Sequence, residues 1–273
     1  MTSILCGLAA ACCWASMNVL ATRLARGPDP RAFPFWFSLL ECVLCAPIGL
    51  VLLGSAHISL QDFLWLALTG VSAAATGWLL TAALRQGQLG VVGPLLAIEG
   101  AIAAVLGIVF VGRLPGLLLS GGLLVSVAGA FTVALGATRR GHLAGAPQAL
   151  LAAAFAGIAL WAFAHQPLEP LLALLIARLC GAAVLAPTVS RWRLPQGMRW
   201  LLAVSLLDIA ANVFFLAGAR AGSLSAVAVL AAQFGTLTAL GGMWHLKESL
   251  TRLQLAGLLI LGAGVAAVAI VSG

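Results

Sequence analysis

Charged residues are scarce in this sequence: of 273 residues, only 8% are Asp, Glu, Lys or Arg, while 63% are hydrophobic. Soluble domains carry roughly 25% charged residues. The scarcity excludes a water-soluble globule, because there is too little polar surface to cover one. The mean hydropathy of +1.14 is typical of a chain whose side chains face lipid or other helices.

Several other signals are missing. The net charge is +7, but the basic residues form no long run, so no nucleic-acid partner is expected. The first residues lack the basic segment and cleavage site of a signal peptide and therefore predict a first spanning helix. The six cysteines lie in apolar stretches without paired zinc-ligand spacing, so we predict no metal site and no cofactor.

Catalytic motifs are absent as well. The sequence has no H-E-x-x-H, no G-x-S-x-G and no phosphate-cradling loop, and its four histidines are scattered. A membrane enzyme gathers two or more catalytic groups at one interface. We therefore expect a protein that is not an enzyme, with a lipid-modifying membrane enzyme kept as an alternative.

Long apolar runs fill almost the whole chain. A helix needs roughly 20 apolar residues to cross the hydrocarbon core, and its backbone groups must bond within the helix because no water is present there. The runs predict an all-α membrane protein with ten transmembrane helices, at 3–22, 33–53, 63–84, 89–110, 116–137, 147–163, 169–189, 199–219, 223–244 and 252–271.

The sequence repeats itself after 135 positions. Arg85 aligns with Arg220 (220 − 85 = 135), and from there the pattern R-x-G-x-L-x-x-V-x-x-L-x-A-x-x-G runs without a gap in both copies. The repeat predicts two five-helix domains, residues 1–140 and 141–273. Because five crossings end on the opposite side of the membrane, the second copy must be inverted, which is a recurrent plan of secondary transporters.

The loop charges predict an orientation. The face that holds both chain ends has two basic residues, Arg113 and Arg220; the other has eleven, Arg23, Arg26, Arg31, Arg85, Arg139, Arg140, Arg191, Arg193, Arg199, Lys247 and Arg252. Short loops rich in Lys and Arg stay in the cytoplasm. We therefore expect a multi-pass protein of a bacterial inner (plasma) membrane with non-cytoplasmic termini.

Charged side chains lie inside the predicted helices, although a charge at the bilayer centre costs at least about 2.5–3.5 kcal/mol. Glu41 and Arg178 occupy corresponding helices of the two copies, and pairing them would offset both costs. The pair is either a static link between the halves or a site for substrate charge or a proton. Glu99 follows the bend expected at Gly93-Pro94; it is either an ion or substrate site or a protonated side chain bonded to a neighbouring helix.

Asp208 and Asn212 are four residues apart and share one helix face. Their repeat counterparts are Ala73 and Gly77, so this polarity belongs to one half and favours a ligand contact over general helix association. Trp14 lies halfway along its helix, which argues against the usual interfacial role of membrane tryptophans.

Three segments resemble the drug/metabolite transporter superfamily, in its EamA-type branch. They are Trp14-Ala15-Ser16-Met17-Asn18, the junction from Ala83 to Leu95, and Lys247-Glu248-Ser249-Leu250-Thr251-Arg252-Leu253-Gln254 with Gly257, which is similar to a G-E-x-L-x-x-x-Q-x-x-G signature. Two departures are Gly112-Arg113 in place of a Gly-Glu, and Glu41 in a helix that often carries Arg. The family usually has cytoplasmic termini, which is the alternative to the orientation given by the loop charges.

The resemblance implies a basket in which helices 1, 3, 4, 6, 8 and 9 surround a cavity, with helices 5 and 10 outside. The candidate substrate-binding residues are then Trp14, Asn18, Trp78, Glu99, Trp161, Asp208, Asn212 and Gln233. The implied function is a secondary transporter, an exporter of amino acids, related metabolites or amphipathic drugs by alternating access, as a monomer or homodimer. Protons are a candidate coupling ion, and a passive channel is a second alternative.

Overall fold

The computed structural model describes residues 2–111, 117–138, 144–189, 196–222 and 224–272, and its regular structure there is helical. The helices are α1 Thr2–Ala25, α2 Phe33–Leu53, α3 Leu60–Gln86, α4 Leu89–Leu96, α5 Ile98–Val111, α6 Leu117–Thr138, α7 Ala146–Ala164, α8 Pro170–Leu185, α9 Met198–Ala221, α10 Leu224–Ala231, α11 Phe234–His245 and α12 Arg252–Ser272, with a short 3-10 turn at Ala186–Thr188.

Two of the membrane crossings are broken helices. α4 and α5 meet at Ala97, three residues after Pro94, while α10 and α11 are separated by Ala232 and Gln233. The two breaks are related by the repeat (232 − 97 = 135). Counting each broken pair once, the twelve helices make ten crossings, which confirms the predicted ten-helix fold.

Length and hydropathy agree with this count. Within the described residues, eight helical segments are long and apolar enough to cross a bilayer, including Leu89–Phe110 and Val227–His245 across the breaks. The fifth and tenth crossings contain the shorter apolar stretches Ser120–Val133 and Arg252–Gly264. All ten predicted helices therefore have an observed counterpart.

Two pairs of corresponding helices, α2–α8 and α6–α12, pack against each other in antiparallel fashion. In the α6–α12 pair, Gly129 lies against Leu261 and Gly136 lies against Gln254. In the α2–α8 pair, Gly49 contacts Leu175 while Glu41 pairs with Arg178. The repeat relates α1 to α7 and α3 to α9. It therefore makes the contact between α1 and α9 equivalent to the contact between α7 and α3, and both contacts are extensive. This is the packing that an inverted repeat requires.

Local signals account for several helix starts. Ser59 and Asp62 form a capping box at the start of α3, in which each side chain accepts a hydrogen bond from the other residue's backbone N–H. Prolines occupy the first turns of α2, α7 and α8, where a missing N–H costs nothing.

The predicted domain boundary at 140/141 and Arg113 lie outside the described residues, so the boundary stays a prediction.

Candidate functional site

A buried ion cluster joins α2, α8 and α9. Arg178 forms ion pairs with both Glu41 and Asp208. Glu41 is 0% exposed, Asp208 6% and Arg178 9%. Glu41 and Arg178 thus lie together, as their places on corresponding helices suggest, but Asp208 is a third member that the sequence pattern did not indicate. Because one guanidinium faces two carboxylates, neither acid is left as an isolated buried charge.

Asp208 is also the acceptor for two neutral donors. The Trp14 indole N–H donates to Oδ1 of Asp208 at 2.9 Å. The Asn212 amide donates to Oδ2 at 2.9 Å and to the Asp208 carbonyl at 2.9 Å. Trp14 is held in place by Phe215 and Phe234, with ring centroids 5.8 Å and 6.1 Å away. The aspartate is therefore fixed by partners from α1, α8 and its own helix.

A cavity of about 140 Å³ lies beside this cluster. Both halves of the chain line it, through α1, α2, α3, the α4–α5 junction, α7, α8, α9 and α11. Its polar walls come from Trp14, Asn18, Glu99, Arg178, Asp208 and Asn212, and its aromatic walls include Phe33, Phe37, Phe163 and Phe234. The family resemblance assigned α2 and α8 no part in the cavity; the structure adds both, because their Phe37 and Arg178 reach it.

Glu99 stands apart from the ion cluster. It lies in the first turn of α5, directly after the break at Ala97, and is only 7% exposed. Its carboxylate lines the cavity, and no hydrogen bond to it is present among the described residues. Asn18, 1% exposed, likewise lines the cavity with an amide oxygen that has no hydrogen-bond partner there. These two acceptors are the cavity's unpaired polar groups.

The two ends of the cavity differ in closure. Toward the face where α1 begins, a buried apolar cluster that includes Cys45, Leu66, Phe163 and Leu216 fills the space. Toward the face where α1 ends, Phe33 and Phe37 of α2 are only partly buried. Two helix pairs that the repeat makes equivalent also differ in packing. α3 packs closely on α8, whereas α2 makes far fewer contacts with α9.

Three predicted cavity residues lie elsewhere. Trp78 is 51% exposed and is not among the residues that line the cavity, because α3 turns Thr69, Thr76 and Thr81 inward; its role as a substrate contact stays a prediction. Gln233 occupies the N-cap position of α11 at the helix break without a side-chain capping hydrogen bond, and its neighbour Phe234 lines the cavity instead. Trp161 is buried in a ring cluster with Trp65, Phe110 and His165 outside the cavity lining.

Trp161 differs from Trp14 in its hydrogen bonding. Its indole nitrogen is buried and has no hydrogen-bond partner among the described residues, whereas the Trp14 indole donates to Asp208. At the repeat offset of 135 positions Trp14 corresponds to Ala149 and Trp161 to Arg26, so the two tryptophans are not repeat counterparts.

The site offers no metal centre in the described part of the chain, where no three His, Cys, Asp or Glu side chains are grouped as ligands. Sequence reasoning missed Phe37, Phe163 and Phe234 as cavity walls. The only signal for them was their position on the same helices as the polar candidates. Aromatic residues in an apolar helix carry no further mark, since most of them face lipid or packed neighbours.

Comparison with known proteins gives a family and a fold. The model of the EamA-like transporter family matches residues 1–135, which end within α6. A solved structure, described only as the crystal structure of a protein, superposes with a TM-score of 0.68 at 17% sequence identity, covering 99% of this chain and 97% of that one. No curated protein matches the chain by sequence. The family match thus covers the first five-helix half of the chain, and the likeness to the solved structure, at 17% identity, shows a shared fold over the whole chain.

Proposed function

We propose that the protein is a secondary transporter that carries a small organic solute through the central cavity by alternating access. The observation that carries the proposal is the cavity itself: both halves of the chain line it, and it contains buried charged groups. Buried ionisable groups in a membrane protein are expensive and mark substrate or ion pathways. The match of residues 1–135 to the model of the EamA-like transporter family supports the same conclusion.

The packing of the two halves supports alternation. Corresponding helices meet in antiparallel pairs, as inverted repeats do, and the equivalent pairs α3–α8 and α2–α9 are packed to different degrees. Exchange of these two packings between the halves would close the end at which α1 ends and open the end at which it begins. We propose protons as the coupling ion, because two buried carboxylates share the Arg178 guanidinium and a third carboxylate, Glu99, lines the cavity apart from them. Export is the direction that the family resemblance implies.

A transport assay separates this proposal from its rivals. The purified full chain is reconstituted into vesicles, and uptake of radiolabelled solutes is measured with and without unlabelled solute trapped inside. A secondary transporter gives saturable uptake that the trapped solute accelerates. Non-saturating flux without counterflow would instead indicate a passive channel, and conversion of a lipid in detergent without any gradient would indicate an enzyme.

A further inference from the structure

The central cavity has unpaired hydrogen-bond acceptors, whereas most of its donors are already bonded within the protein. We propose that it recognises an organic cation, a protonated amine on a small apolar body, with Glu99 as the counter-ion. The inference rests on the proposed transport function, which makes the cavity a substrate site. It narrows the solute class that the sequence left open between amino acids and amphipathic drugs.

Most hydrogen-bond donors around the cavity are already engaged. Arg178 is held between Glu41 and Asp208, and the N–H groups of Trp14 and Asn212 both point to Asp208. The three threonines that line α3 donate their hydroxyl hydrogens to carbonyls of their own helix: Thr69 to Trp65, Thr76 to Ser72, and Thr81 to Gly77. A ligand that needs a hydrogen-bond donor therefore finds these donors already used.

The acceptors are open by contrast. The Glu99 carboxylate and the Asn18 amide oxygen line the cavity and have no hydrogen-bond partner in the described part of the chain, and both residues are more than nine-tenths buried. An ammonium group is a donor with no acceptor capacity. It satisfies both groups, whereas a carboxylate ligand satisfies neither.

The charge balance points the same way. In the ion cluster, Arg178 contributes one formal positive charge and Glu41 and Asp208 contribute two negative charges (1 − 2 = −1). Glu99 is a further acidic group that lines the cavity without an ion-pair partner in the described part of the chain. Uncompensated charge is costly at lipid depth. A bound monovalent cation next to Glu99 reduces the excess, and an anion increases it.

The apolar walls suit the rest of such a ligand. Trp14, Phe37, Phe163 and Phe234 present rings to the cavity, and aromatic faces attract cations. Phe37 already does so within the protein, since the Arg178 guanidinium carbon lies 5.4 Å from its ring centroid. The volume of about 140 Å³ is close to the ~150 Å³ of a cavity that holds one benzene ring.

Four compounds with one phenyl ring and different charge test this inference: phenethylammonium, phenylethanol, phenylacetate and phenylalanine. Binding to the purified full chain is measured by the rise in melting temperature and by titration calorimetry. We expect phenethylammonium to bind best, with about 10- to 100-fold weaker binding in Glu99→Gln, since a hydrogen bond to a charged group is lost. Glu99→Asp should keep the preference for the cation. Glu169→Gln, an exposed carboxylate beside α8, is the matched control and should bind like the wild type.

The wild-type comparison alone can overturn the inference, whatever the fate of the variants. Equal or stronger binding of phenylacetate or phenylalanine contradicts it, and so does the absence of binding by all four compounds. Transport is scored separately. If an anion or zwitterion binds and shows counterflow, the transporter proposal stands and the cation inference fails. If phenethylammonium binds without any counterflow, the cation site stands and the transporter proposal fails.

Discussion

The indole N–H of Trp14 donates to Asp208 at 2.9 Å, across 194 positions of sequence. The bond links α1 of the first half to α9 of the second, and Asp208 continues the link through Arg178 to Glu41 in α2. A chain of polar contacts thus runs through the interior between the halves. Its partners fix the charged wall of the cavity, so substitutions along it should affect stability and transport together.

Replacing Asp208 by Asn should strongly destabilise the fold. The change leaves Arg178 with Glu41 as its one ion-pair partner and places an amide opposite the donors of Trp14 and Asn212. Breaking a buried charge pair costs about 3–5 kcal/mol. Thermal unfolding of the purified chain measures the loss. Asp62→Asn, at the exposed capping box of α3, is the control and should cost about 1 kcal/mol; similar losses in both variants would contradict the role given to Asp208.

Arg178→Met should be more damaging than Glu41→Gln. Without Arg178, two buried carboxylates lose their common cation, whereas Glu41→Gln leaves the Arg178–Asp208 pair in place. The order of the two melting temperatures checks this, and a double variant should recover part of the loss because one unpaired acid is removed. The reverse order would show that Glu41, rather than Asp208, is the principal partner of Arg178.

The ten-helix scaffold and part of the ion cluster could be predicted from the sequence. The ten crossings followed from apolar run length, and the bend at Pro94 from a missing backbone donor. The equivalent break at Ala232 and Gln233 has no proline and was not predicted, because tertiary packing rather than local chemistry produces it. Asp208 was identified as a candidate, but its pairing with Arg178 depends on the rotation of α8 against α9, which no local pattern encodes.

The placement of Trp78 has a related cause. Helix periodicity tells which residues share a face, but α3 has polar residues on more than one face, so its sequence does not show which face turns inward. The structure turns Thr69, Thr76 and Thr81 to the cavity and leaves Trp78 exposed. Membrane helices lose the polar–apolar contrast that orients a helix in a soluble protein.

Gly70→Ala should weaken the α3–α8 contact. A methyl group at Gly70 would strike the Ala177 carbonyl oxygen and approach the Cβ of Cys180 to 2.9 Å. Because the first obstacle is backbone, the helices must separate, at a cost of about 1–3 kcal/mol. Gly121→Ala is the control, since nothing lies within 4 Å of the added atom, and it should be neutral or slightly stabilising. Equal melting temperatures for the two variants would contradict this close packing.

A reporter that is active only in the cytoplasm, fused after Gly273, should give no signal. The face that holds the chain ends has two basic residues and the opposite face eleven, and the basic face stays in the cytoplasm. The same reporter inserted in the loop between α1 and α2 is the positive control. A bright C-terminal fusion would show that the termini lie in the cytoplasm, the orientation usual in the family that the sequence resembles.

Alternating access is tested most directly by cysteine labelling at the two ends of the cavity. Thr69 and Thr81 both line it from α3, about 18 Å apart along the helix at 1.5 Å per residue. In a chain without its native cysteines, Thr69→Cys and Thr81→Cys are exposed to a membrane-impermeant thiol reagent from either face. Because both residues line the one cavity that opens first to one face and then to the other, alternating access predicts that each cysteine reacts with reagent added at either face. Reaction of both cysteines from one face alone would contradict it.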